Sequence, residues 1–140
     1  MYHSIVKRNI RAAFDHLNKG DYEKVLAMFS PDIRFRFPGQ HSLAANLSSL
    51  PDVRNWFEKF LSTLKGIQFE ILDILVEGAP WNTIAMTRFR DTIPLPDGRE
   101  MYNEGVQFLR IKWGKIVEDQ LYIDTQIMES ALSEIGKPSV

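Results

Sequence analysis

Three separators with turn chemistry, Gly78-Ala79-Pro80, Pro94-Leu95-Pro96-Asp97-Gly98 and Trp113-Gly114, constrain this chain more than any other feature. They cut its second half into four strand candidates, Gln68 to Glu77, Asn82 to Thr92, Met101 to Lys112 and Lys115 to Asp124. Loops this short join only antiparallel neighbours, so the four strands are expected to form a meander of successive hairpins. The first half supplies cover for one face of that sheet. Ile5, Ile10, Phe14 and Leu17 recur at helical spacing up to a stop at Gly20. Asp21 can cap a second helix that carries Tyr22, Val25, Leu26 and Phe29 as far as Pro31. Pro51 and Asp52 open a third, with Val53, Trp56, Phe57, Phe60 and Leu61 in an apolar stripe that ends near Gly66. Between the second and third helices the period changes to two from Asp32, with Ile33, Phe35 and Phe37 on one face and Arg34 and Arg36 on the other. This short strand is expected at the sheet edge. A terminal helix over Gln126 to Ser133 precedes Gly136 and Pro138. The expected fold is α+β: a half-open cone in which a curved mixed or antiparallel sheet is covered by three N-terminal helices, with a short C-terminal helix.

At 140 residues, with 44% hydrophobic and 25% charged side chains, the chain fits a single domain over residues 1–140 with one core. The absence of cysteine excludes disulfides, thiol nucleophiles and cysteine metal sites. Seventeen basic against 18 acidic groups leave no global positive field, so neither nucleic acid nor an anionic membrane is an expected partner, although a local patch is compatible with this balance. No apolar run reaches the ~18 residues of a membrane span, and Met1 to Arg11 lacks the pattern of a secretory signal, so the expected location is the cytoplasm. Phosphate-binding glycine loops, zinc-protease motifs and EF-hand patterns are missing, and His3 and His16 have no metal-ligand complement, so no cofactor or metal is expected.

The chain resembles the SnoaL-like branch of the nuclear-transport-factor-2-like (NTF2-like), or ketosteroid isomerase-like, superfamily. The resemblance spans almost the full length. It is carried by Gly20-Asp21-Tyr22-Glu23 with Leu26 and Phe29, by Ser30-Pro31-Asp32-Ile33-Arg34-Phe35-Arg36-Phe37-Pro38-Gly39, and by Gly114-Lys115-Ile116-Val117 leading into Leu121-Tyr122-Ile123-Asp124-Thr125. The resemblance implies a conical homodimer with an apolar pocket. Its known chemistries carry over incompletely. Ketosteroid isomerases use a tyrosine and an aspartate where this sequence has Phe14 and Phe37, which hold no transferable proton. Limonene-epoxide hydrolase uses an aspartate–arginine–aspartate set, which matches Arg88 and Asp124 here but meets Arg90 in place of the water-activating aspartate. SnoaL-like cyclases employ an aspartate and a histidine, for which Asp124 and His41 are the available residues.

Period two sets Asn82, Ile84, Met86, Arg88 and Arg90 on one strand face and Tyr102, Glu104, Val106, Phe108 and Arg110 on one face of the next. If these faces look inward, Arg88, Glu104 and Asp124 punctuate an apolar lining, with His41 nearby, and form the candidate catalytic set. Glu104 then replaces the base missing at Arg90. Asn103, opposite in phase to Glu104, cannot share its face without a bulge. Phe14, Phe37, Trp56, Phe60, Arg90, Phe108 and Tyr122 are the candidate substrate pocket, and Thr83, Thr87 and Gln107 fall on the outer face, where sheets pair in dimers. Two function classes remain open. One is acid/base isomerisation, cyclisation or hydration of a small apolar or amphipathic oxygenated molecule; the other is a non-catalytic ligand-binding or structural homodimer.

Overall fold

A computed structural model describes residues 1–137, so the expectation for Pro138 lies outside the described residues. The order of elements is α1 (Tyr2–Asn18), α2 (Tyr22–Leu26), β1 (Phe29–Phe37), β2 (Ala45–Leu47), α3 (Leu50–Thr63), β3 (Gln68–Ala79), β4 (Asn82–Pro94), β5 (Glu100–Lys112), β6 (Lys115–Ile123) and α4 (Thr125–Ile135). The six strands form one sheet in the order β2-β1-β6-β5-β4-β3. The three expected hairpins are present. The tightest, Trp113-Gly114, has both residues at positive φ, 50° and 79°, between the paired Lys112 and Lys115, as a two-residue turn of matching twist requires.

β1 runs parallel to β6, and the three-residue β2 pairs outside it. β1 is therefore interior, and β2, which sequence periodicity does not reveal, takes the edge. The break expected at Pro31 is a second correction. Phe29 already pairs with Ile116 and Arg34 with Glu118, so the extra residues bulge between them and place Pro31 where no ladder donor is needed. α2 shrinks to five residues as a result.

α1 buries Val6, Ile10 and Phe14 against the concave face, and α3 buries Val53, Trp56, Phe57 and Phe60. The α1 C-terminus is clamped to the sheet: Asn18 Nδ2 donates to the Phe69 carbonyl at 3.0 Å, and the Phe69 amide donates to Asn18 Oδ1 at 2.7 Å. Ser49 caps α3 by accepting from the Asp52 amide at 3.4 Å. Rings from β1 and α3 then fill one end of the cone. Trp56 stacks on Phe60 at 4.7 Å and meets Phe35 at 4.6 Å and Phe37 at 5.1 Å. Its indole Nε1 donates to the Leu43 carbonyl at 2.8 Å, which ties the loop after β1 to the core. No helix of the described residues is long and apolar enough to cross a membrane.

Gly105 sits on the concave face of β5 with no room above it. A Cβ there would lie 2.7 Å from Ile123 Cγ2 and from the Tyr122 carbonyl oxygen, and 2.9 Å from Phe89 Cζ. Gly105→Val is accordingly expected to destabilise the fold by about 1–3 kcal/mol through overpacking, measured by denaturant unfolding. A neutral result would show that Phe89 moves aside freely.

Candidate functional site

Which face of the meander looks inward decides every candidate. On β4 the buried residues are Thr83, Ala85, Thr87, Phe89, Asp91 and Ile93, while Met86, Arg88 and Arg90 are exposed. On β5, Asn103, Leu109 and Ile111 are buried, and Tyr102 and Glu104 are exposed. The assumed phase is therefore reversed. Arg88 lies on the convex face 3.7 Å from Asp73, and Arg90 donates to Glu104 at 3.0 Å on the same face. Phe108 is on that face under the Arg110 guanidinium, 5.8 Å from its ring, and Tyr122 is 54% exposed with its hydroxyl donating to Gln120 at 3.1 Å. Thr83, Thr87 and Gln107, expected outside, face inward instead. Both faces of these two strands mix polar and apolar residues, so periodicity alone does not tell them apart.

Asp124 and His41 are held by local backbone. Asp124 is the exposed N-cap of α4, its Oδ1 accepting from the Ile127 amide at 3.2 Å. Asp124→Ala is expected to cost about 1 kcal/mol of stability through this lost cap, read by thermal unfolding. His41 closes the loop after β1: Nδ1 accepts from the Leu43 amide at 3.1 Å, which leaves Nε2 to donate to the Pro38 carbonyl at 2.9 Å. Both ring nitrogens are thereby occupied. Arg88 pairs with Asp73, Glu104 with Arg90, and Asp124 with its own helix, so the four residues do not converge.

The concave side holds two cavities with a common wall. The larger, about 410 Å³, lies between α1 and the hairpin end of β5 and β6, and is lined mainly by apolar residues such as Val6, Ile10, Phe29, Leu109, Ile111 and Ile116. This is within the size range of small-molecule sites. Ile5, Asn9 and Gly114, all exposed members of its lining, mark its rim. The smaller, about 60 Å³, lies toward α4 among Phe37, Trp56, Phe60, Phe89 and Met128. Phe14, Leu17, Phe57, Gln107 and Asp119 line both.

Two carboxyls that sequence reading did not single out belong to these walls. Asp119 of β6 is 2% exposed, and burial raises its carboxyl from an ordinary 3.8 to about 7, against a lowering contribution from Gln107. Gln107 Nε2 donates to Asp119 Oδ2 at 3.5 Å. Asp91 of β4, 3% exposed, lines the smaller cavity, and burial raises it to about 7 as well. Asp91 Oδ1, Gln107 Oε1 and Asp119 Oδ1 are buried without a hydrogen-bond partner among the described residues. Buried polar atoms left unpaired are uncommon in folded proteins, and near-neutral carboxyls in a cavity wall are suited to proton transfer. Asp91 was legible only with the β4 phase in hand. Asp119 was hidden by a bulge: Arg110 pairs with Glu118 but Ile111 pairs with Ile116, so the parity of β6 changes and both Ile116 and Asp119 point inward.

A six-stranded, strongly covered sheet with a cavity between its concave face and the N-terminal helices defines the chain as an NTF2-like α+β cone. Residues 10–119 match the SnoaL-like domain, and the chain belongs to that family. Among solved structures it is similar to Bal32a from a soil-derived mobile gene cassette, with 15% identity, 90% of this chain and 95% of that one covered, and a TM-score of 0.75. It is similar also to AclR, a candidate hydroxylase from Streptomyces galilaeus, with 22% identity, coverage of 96% and 87%, and a TM-score of 0.71. A third is a candidate SnoaL-like polyketide cyclase from a Jannaschia species, with 15% identity, coverage of 94% and 92%, and a TM-score of 0.69. At these identities the likeness is one of fold. No curated protein matches the sequence.

Proposed function

We propose that this SnoaL-like domain takes a small, mostly apolar, oxygenated molecule into the cone and performs acid/base isomerisation, cyclisation or hydration on it, with Asp119 moving the proton. The observation that carries this reading is a fully buried carboxyl, one oxygen of which has no protein partner, in the wall common to both cavities. A carboxyl near 7 exchanges its proton close to neutral pH, where a general base still holds driving force. Gln107 orients it from the adjacent strand, and Asp91 offers a second proton site at the α4 end. The apolar lining binds the substrate body and excludes water, which strengthens each polar contact inside. A neighbour described as a candidate polyketide cyclase supports a substrate of this class.

The test is native mass spectrometry of the purified protein, coupled to a crystal structure of the same sample. The expected result is a retained molecule with a polar atom at Gln107 or Asp119, whose turnover is lost in Asp119→Asn. Binding without turnover across such molecules favours the ligand-binding module. A cavity collapsed around α1 contradicts both.

The convex face supports a second copy of the chain as partner. Leu75, Met86 and Phe108 lie in one row across β3, β4 and β5, with Leu75 71% exposed. The Arg88–Asp73 and Arg90–Glu104 pairs beside this row give the face both signs of charge, as a self-complementary twofold contact requires. Sedimentation velocity is expected to show a dimer that Met86→Glu converts to monomer. A wild-type monomer at micromolar concentration contradicts the pairing.

A further inference from the structure

The unpaired atoms of the larger cavity restrict what can sit there, given the pocket function proposed above. Of the buried side-chain polar atoms without a partner among the described residues, Gln107 Oε1 and Asp119 Oδ1 belong to its lining. The orientation of the Gln107 amide follows from its contact with Asp119, because the flipped amide would set an oxygen 3.5 Å from the carboxylate oxygen. With Nε2 committed to Asp119, both remaining atoms accept hydrogen bonds once the carboxyl is ionised, above about 7. Around them stand Val6, Ile10, Phe14, Leu109 and Ile116, which offer neither donor nor charge. A carbonyl, ether or carboxylate pushed to this wall would leave the acceptors unpaired and place lone pair against lone pair.

We propose that the larger cavity selects ligands whose inner end is a hydrogen-bond donor, an aromatic or enolic hydroxyl on an apolar body, and that Gln107 and Asp119 are the specificity-determining pair. The body then lies along α1 toward the rim at Ile5, Asn9 and Gly114. The hydroxyl places its proton directly against the carboxylate assigned to move it, so recognition and proton transfer use one contact.

Binding of naphthol, its methyl ether and naphthoate to the whole protein, followed by calorimetry at pH 8, tests this. Naphthol is expected to bind at least about tenfold more tightly than either analogue, the effect of one buried hydrogen bond to a charged acceptor. Gln107→Leu and Asp119→Asn are each expected to reduce that preference while the methyl ether loses little, a readout that general loss of packing does not produce. Equal binding of all three, or a preference for naphthoate, overturns the donor assignment and leaves the pocket reading intact. Failure of all three to bind overturns both.

Discussion

Asp119→Asn is expected to melt on the order of ten degrees above the wild type at pH 8, and to melt with it near pH 4. The folded-state carboxyl, near 7, stands above its ordinary 3.8. Below 3.8 both states are protonated and burial carries no ionisation penalty. Between 3.8 and 7 the unfolded chain releases its proton while the folded one retains it, so stability falls as pH rises through this window. Above 7 the loss is constant, on the order of 4 kcal/mol, and asparagine removes it. The same substitution is expected to lower turnover by about 10²–10⁴-fold, since it deletes the proton-transfer group. Stability and activity thus move in opposite directions. A melting difference independent of pH contradicts the assignment of Asp119 as a desolvated carboxyl.

The largest loss of stability is expected from Trp56→Ala, about 3–5 kcal/mol by denaturant unfolding. Its ring touches Phe35, Phe37, Phe57 and Phe60, and its Nε1 is the donor to the Leu43 carbonyl. Alanine both opens the aromatic cluster and leaves that carbonyl unpaired beside the fully buried Leu43 side chain. Trp56→Phe retains most of the packing and loses the hydrogen bond, so about 1–2 kcal/mol is expected there. Equal effects of the two substitutions contradict this division between packing and hydrogen bonding.

Elements defined by local chemistry were legible in the sequence. The three hairpin separators, the stop of α1 at Gly20, the opening of α3 at Pro51 and Asp52 and its end near Gly66, and the alternation of Ile33, Phe35 and Phe37 act over a few residues, and these features lie close to where they were expected. What local pattern does not contain is the side of the sheet that the helices cover. Ile84, Met86, Val106 and Phe108 put apolar positions on the convex face, while Thr83, Thr87, Asp91, Asn103 and Gln107 interrupt the apolar run of the concave one. Hydrophobic alternation consequently pointed outward, and Arg88 and Glu104 were placed inside. The bulges at Phe29–Arg34 and at Arg110–Ile111 depend on pairing between distant strands. The second of these turns Asp119 inward, which made the most deeply buried carboxyl of the candidate site the hardest to read.

The proposed function requires Asp119 to be a buried carboxyl that meets the ligand, and a side-chain carboxyl titration by carbon-13 NMR tests this most directly. The expected midpoint for Asp119 is near 7, with a displacement when a ligand fills the larger cavity. A midpoint near the ordinary 3.8, or a midpoint near 7 that no cavity ligand moves, contradicts it.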